Sequence, residues 1–341
     1  MKPPATQKTL KVAVLLIGSS VPIATIGPTN ILDMSCDILR DARDGNVHGT
    51  IFDIQLVSLS NKPMRFGRSV VLNPDATIAT ARAPDLILIP PPGACDKIVE
   101  ALKANRGFVP WIKRCASRGT RVVSFCTGAF LLAETGLLDG RAATTNWQCA
   151  DLFRKMYPKV DLQPDRLIVD QGIVITSAAT SSYQDLMLYL IELYSGREAA
   201  ILTSKVMLLE IGRDSQLPFT NFSAQKTHDD RQILPVQHLI ESESHQRLTI
   251  KHLAKRAGMS LRTFERRFRN ATGELPSTYV QKMRIEKAKR LLETSMDTVE
   301  QIITKVGYED RRSFRRLFRT FAALSPREYR RKYGMRRQAQ S

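Results

Sequence analysis

The sequence predicts two domains of different class: an α/β domain built on a mostly parallel sheet, then a smaller domain made only of helices. Three observations predict it. Short apolar, strand-like runs alternate with helix-like segments over the first two hundred residues, a helical apolar period broken by glycine turns fills the last hundred, and the net positive charge is gathered in that last part. A length of 341 residues with 43% hydrophobic side chains is ordinary for two globular domains.

In chain order, the strand-like runs are Val12–Ile17, Asp53–Leu59, Asp85–Ile89, Arg121–Phe125 and Leu167–Thr176, the last turning as a hairpin at Gln171-Gly172. Helical spacing predicts helices over Ile31–Arg40, Asp96–Ala104, Gly107–Arg118, Gly128–Thr135, Trp147–Tyr157, Ser182–Tyr194 and Arg197–Leu209. From about residue 212 the periodicity fades, and Pro218 and Pro235 act as breakers. The expected organisation is therefore a domain over 1–211, a linker over 212–232 and a second domain over 233–337.

No apolar run approaches the roughly 18 to 20 residues a membrane helix needs. Lys8 and Lys11 lead only into a strand-length run before Gly18-Ser19-Ser20, so no signal peptide is expected and the protein is assigned to the cytoplasm, at the nucleoid. The five cysteines, Cys36, Cys95, Cys115, Cys126 and Cys149, form no C-x-x-C pair and have no histidine at ligand spacing. Neither a disulfide framework nor a metal site is expected, no cofactor is implied, and all but Cys126 read as packing residues.

Net charge is +18, and residues 247–341 carry 25 Lys/Arg against 9 Asp/Glu, leaving 26 against 24 for residues 1–246. A near-neutral domain is thus joined to one of net +16, whose field attracts a polyanion. Charge alone would also suit RNA or a membrane surface; the helical pattern decides for duplex DNA. Ile250, Leu253, Ala254 and Ala257 form one helix face closed by Gly258, then Ser260 caps a helix with Leu261, Phe264 and Phe268 inward and Arg262, Glu265, Arg266 and Arg269 outward. Helix, glycine turn and basic helix is the helix-turn-helix pattern, and a major groove admits one such helix.

A second copy follows. Val299, Ile302, Ile303 and Val306 make the first face, Gly307-Tyr308 the turn, and Asp310 opens a helix with Phe314, Leu317, Phe318 and Phe321 inward and Arg311, Arg312, Ser313, Arg315, Arg316 and Arg319 on its outer surfaces. Pro276–Leu292 is long enough to be a helix that spaces the two copies. The strings LAKRAGMSLRTFERRFRNATGELPSTYVQKMRIEKAKRLL and VGYEDRRSFRRLFRTFAALSPREYRRKY resemble the AraC/XylS family over Ile233–Tyr333. That resemblance implies a tandem reader of promoter DNA that works with RNA polymerase. The base-contacting candidates it carries over are Arg262, Glu265, Arg266, Arg311, Arg312, Ser313 and Arg316, while Arg269, Arg319, Arg330 and Arg331 suit phosphates, which fix register without reading sequence.

In the front domain, strand Arg121–Phe125 runs directly into Cys126-Thr127-Gly128, where a helix begins, which is the geometry of a nucleophile elbow. The string SFCTGAFLLAETGLLDGRAATTNW resembles the PfpI-type, class I glutamine-amidotransferase-like domain of the GlxA-like regulators, over about Leu10–Leu209 and including Gly27-Pro28 and Thr176-Ser177-Ala178. The resemblance implies a flavodoxin-like sandwich that dimerises and holds a small-molecule effector at the elbow, with Cys126, Thr127, Asn146, Trp147 and Gly93 as pocket residues. Two departures bear on chemistry. Relatives read T-T-H-W where this chain has Thr144-Thr145-Asn146-Trp147, and Asn146 cannot serve as a general base. Pro92-Gly93-Ala94 replaces a glycine pair, which alters an oxyanion-binding turn. The other histidines, His48, His228, His238, His245 and His252, stand at loop, linker or helical-domain positions. The expected function is a ligand-responsive transcription activator that is not an enzyme. Two alternatives stay open, an oxidation sensor through Cys126 and a cysteine hydrolase tethered to DNA.

Overall fold

The computed structural model describes residues 8–41, 50–222, 226, 228–246 and 248–335, and divides into two compact units, 1–216 and 217–341. His48 and the last residues of the expected 233–337 domain lie outside the described residues.

The first unit runs β1 (Thr9–Leu15), α1 (Ile23–Asp41), β2 (Ile51–Ser58), β3 (Met64–Phe66), β4 (Val70–Leu72), β5 (Ala76–Thr77), β6 (Leu86–Ile89), α2 (Ile98–Asn105), α3 (Phe108–Ala116), β7 (Arg121–Phe125), α4 (Gly128–Ala133), β8 (Ala142–Ala143), α5 (Ala150–Met156), β9 (Asp161–Leu162), β10 (Ile168–Asp170), β11 (Val174–Ser177), α6 (Tyr183–Ser195) and α7 (Arg197–Val206). Seven strands make one sheet in the order β10-β11-β7-β6-β1-β2-β5, parallel except for β10 against β11. Strands covered on both faces read as unbroken apolar runs, and Leu86–Ile89 is buried at every position. One face packs on α2 to α5 through Ile87, Phe108, Phe130 and Phe153, the other on α1, α6 and α7 through Val14, Leu32, Leu186 and Ile191.

Three features differ from the expectation. Helix α1 begins eight residues before Ile31 and contains Gly27-Pro28. Thr29 Oγ1 donates to the Ile26 carbonyl at 2.8 Å, and Gly27 lies where a Cβ would stand 2.5 Å from the Tyr183 ring, so tertiary packing offsets the breaker. The small pairs β3–β4 and β8–β9 had no alternating signal long enough to read. The cysteines are not all unpaired: Cys95 and Cys149 form a disulfide, with Cα atoms 5.6 Å apart across 54 residues of chain. Spacing in sequence could not show it, because only the fold brings the turn after β6 beside the one before α5. Cys36, Cys115 and Cys126 stay free, and burial pushes the Cys36 and Cys115 thiols up.

The second unit runs α8 (Ile233–Glu243), α9 (Ile250–Arg256), α10 (Leu261–Thr272), α11 (Pro276–Thr294), α12 (Val299–Lys305), α13 (Arg311–Ala322) and α14 (Pro326–Tyr333). It has two cores. Ile240, Leu253, Phe264 and Phe268 close on Tyr279 and Val280 at the start of α11, and Ile302, Phe314, Phe318 and Tyr329 close on Ile285, Ala288 and Leu292 further along it. The segment read as a linker is fastened where it is described: Arg213 pairs with Asp185, Ser215 bonds the Asp165 carbonyl, and Phe222 packs on Tyr279.

Candidate functional site

The two basic helices are built alike. Each spans twelve residues, repeats one burial pattern residue for residue, and ends on a left-handed cap, Gly273 or Ala323. Ser260 Oγ accepts the Thr263 amide at 3.3 Å and Asp310 accepts those of Arg312 and Ser313 at 2.9 and 3.1 Å, so each helix starts at its polar cap. Phe264, Phe268, Phe314 and Phe318 are fully buried, which turns the opposite face outward.

On that face Arg262, Glu265, Arg266, Arg269, Arg311, Arg312, Arg316 and Arg319 are all exposed, while Ser313 is half-buried at the cap. Two neighbouring arginines are engaged instead. Arg267 makes a forked bond to Asp230 at 2.7 and 3.0 Å, and Arg315 pairs with Glu300 at 3.2 Å. Periodicity does not distinguish Arg267 from Arg266; the acid that claims it comes from the segment before α8.

The Ser313 hydroxyl and the amides of Arg312 and Ser313 hold the Asp310 carboxyl below its ordinary value of 3.8. A carboxyl lowered by folding contributes stability that is present above 3.8 and is lost as the pH falls through its lower folded value. Acid unfolding of α13, followed by far-UV circular dichroism, is expected to shift to lower pH in Asp310→Asn, which keeps the cap without the titration. The residual acid limb belongs to Asp230, Asp297 and Glu328, also held low.

In the front unit, Cys126 has φ +54°, left-handed for a residue that is not glycine, at the point where β7 gives way to α4. The strained turn is held from both sides: the Cys126 amide donates to the Ser177 carbonyl at 2.9 Å and the Thr145 hydroxyl donates to the Cys126 carbonyl at 2.8 Å. Cys126 is 5% exposed, and its sulfur faces Asn146 Nδ2 at 3.7 Å and Thr180 Oγ1 at 3.5 Å. Thr127 Oγ1 donates to the Gly93 carbonyl at 2.6 Å, and the Ser19 hydroxyl to that of Pro92. The fold thus brings Cys126, Thr127, Gly93 and Asn146 together at the carboxyl ends of β6 and β7, where ligands bind in open α/β sheets. Trp147 adjoins them, half-exposed, with its amide donated to Gln216 Oε1 at 3.2 Å. Thr180, Ser19 and Gln216 were missed. Thr180 stands just beyond the string Thr176-Ser177-Ala178, a usable signal, whereas Gln216 sits in a stretch with no period at all.

Tandem readers with outward arginines serve duplex DNA, and a sandwich with a cysteine elbow is a fold that holds small molecules, so the class is a two-domain transcription regulator. Residues 36–193 match the DJ-1/PfpI family and residues 253–332 a helix-turn-helix domain family. The HTH-type transcriptional regulator CdhR of Pseudomonas aeruginosa is 28% identical over 281 residues, 82% of either chain, and the HTH-type transcriptional regulator GlxA of Rhizobium meliloti is 25% identical over 65% of this chain and 69% of its own. The crystal structure of a ThiJ/PfpI family protein from Pseudomonas syringae covers 62% of this chain and 80% of that one, at 19% identity and a TM-score of 0.50. The chain belongs to the AraC-type helix-turn-helix transcription regulators that carry a DJ-1/PfpI domain. Among the described residues no helix is long and apolar enough to cross a membrane.

Proposed function

We propose that this regulator senses a small molecule at the Cys126 elbow without turning it over, and answers by activating transcription from a promoter read by α10 and α13. The observation that carries the first half is the company of the sulfur: Asn146 and Thr180 are neutral hydrogen-bonding groups, and neither takes a proton near neutral pH. A pocket kept without its base supports binding, with Trp147, Gly93 and Thr127 as further walls. The domain is then a degenerate relative of enzymes and the protein is not one.

For the second half, α11 with its nineteen residues is about 28 Å long. That is near the roughly 34 Å of one DNA turn, which suits readers in successive major grooves. Arg262, Glu265, Arg266, Arg311, Arg312, Ser313 and Arg316 take the bases, and Arg269 and Arg319 the phosphates. The front domain makes a homodimer in the cytoplasm, so that two DNA-binding modules share repeated sites beside RNA polymerase and gain effective concentration.

The test is a titration against the protein's own upstream DNA and a scrambled control at several salt concentrations. The upstream site is expected to be preferred by about a thousand-fold or more, and Arg266→Ala and Arg316→Ala each to lose roughly 1–3 kcal/mol of discrimination. Equal binding to the two DNAs with one steep salt slope would reduce the module to an electrostatic tether.

A further inference from the structure

The connector between the two units is shorter in effect than in sequence, because it is fastened at both ends. In the front unit Gln216 is 2% exposed, and its side chain bridges the residues on either side of Asn146. Its Nε2 donates to the Thr145 carbonyl at 2.9 Å and its Oε1 accepts the Trp147 amide at 3.2 Å. Its own amide donates to the Asp165 carbonyl at 3.1 Å, and Ser215 pairs with Arg166, so the residue is seated by backbone as well as side chain. Asn146 is the group whose amide faces the Cys126 sulfur.

In the DNA-binding unit the next residues form a strap on α11. Lys289 Nζ donates to the Thr220 carbonyl at 2.8 Å, the Phe222 amide donates to Glu286 Oε2 at 3.1 Å, and the Phe222 ring stands edge-on to Tyr279 at 5.2 Å. Lys289 and Glu286 are 3% and 7% exposed, 3.7 Å apart, and stand on the stretch of α11 whose Ile285, Ala288 and Leu292 enter the second core. Buried charges are tolerated only when hydrogen-bonded, and here the strap's backbone supplies those bonds. Between the anchors runs a single 3₁₀ turn, Leu217–Phe219. The four steps of chain from Gln216 to Thr220 reach at most about 14 Å when fully extended, which leaves little of the slack of a flexible linker.

We propose that Gln216 is a positioning residue that couples the two units. An occupant of the elbow displaces the Thr145–Trp147 loop, Gln216 moves with it, and the pull passes through the strap to Lys289 and Glu286 on the helix that spaces the readers. The coupling rests on the reading of the elbow as an effector pocket. It needs no contact beyond those named, since the chain itself carries the displacement from one fastened end to the other.

The test uses the full-length chain without ligand and reads amide hydrogen exchange. Gln216→Ala is expected to speed exchange about five-fold at the Trp147 amide, which loses its acceptor, and also at the Phe222 amide. Inserting Gly-Ser-Gly-Ser between Gln216 and Leu217, which touches neither core, should confine the effect of Gln216→Ala to the front unit. Exchange at Phe222 that stays within roughly two-fold of wild type in Gln216→Ala would overturn the coupling, as would an unchanged response after the insertion. Promoter titration of the same wild-type sample keeps the two ideas apart. A chain that does not prefer its upstream DNA loses the regulator reading, while the exchange result still decides the coupling.

Discussion

Gly128→Ala is expected to destabilise the front unit by about 3 kcal/mol or more, the largest effect of any single methyl group added at the elbow. A Cβ there would stand 2.4 Å from the Ile89 carbonyl oxygen, 3.1 Å from that of Pro90 and 3.3 Å from the Ile89 carbonyl carbon. All three atoms are backbone, so no rotamer change relieves the clash. Either the end of β6 or the start of α4 has to move, and these two segments, with the strained Cys126 between β7 and α4, form the elbow. Overpacking elsewhere costs about 1–3 kcal/mol, and an immobile neighbour puts this site at the top of that range or above it. For a unit of this size, a melting temperature lower by roughly 6–12 °C follows. Gly136 is the control: its φ is +74° but among the described residues nothing lies within 4 Å of a Cβ, so Gly136→Ala should cost only about 1 kcal/mol. Differential scanning calorimetry of the full chain reads both. If the two variants melt alike, β6 and the elbow are free to separate and the close approach is not a constraint.

The second large effect lies in the other unit. Gly258 and Gly307 occupy the same place in the two helix-turn-helix copies, with φ of +67° and +82°. Alanine at Gly258 meets nothing within 4 Å among the described residues, whereas at Gly307 its Cβ would stand 2.4 Å from the His245 carbonyl oxygen and 2.8 Å from the carbonyl carbon. Gly258→Ala should therefore cost about 1 kcal/mol, and Gly307→Ala about 2–4 kcal/mol once overpacking adds to the left-handed strain. The neighbour explains the functional consequence. Arg284, midway along α11, holds the chain around His245 by donating to the Ser244 and Gln246 carbonyls at 2.7 and 2.8 Å, so a shift at Gly307 disturbs the junction between the two halves. In the promoter titration Gly307→Ala is expected to lose on the order of a hundred-fold in specific affinity while keeping its salt-dependent, non-specific binding. Gly258→Ala should stay near wild type. Equal losses in the two would mean that the copies contribute through local turn geometry alone, and that the junction at His245 plays no part.

Gly258 and Gly307 share one local sequence pattern and differ only in the neighbour that the fold brings to them. Period and charge are local properties, and they were enough for the places of the main strands along the chain, the two readers with their caps and inward phenylalanines, the strand-to-helix elbow at Cys126, and the assignment of Arg266 and Arg316 to an exposed face. Identical local patterns could not separate Arg266 from Arg267, or Gly258 from Gly307, because the difference lies in residues brought from elsewhere, Asp230 in one case and His245 in the other. The same holds for the Cys95–Cys149 bond, for the helix that continues through Pro28, and for Gln216, whose importance comes only from the loop it meets. A hydrophobic period reports which face of an element is buried. What that face is buried against depends on chain closure over tens of residues, and no window of sequence contains it.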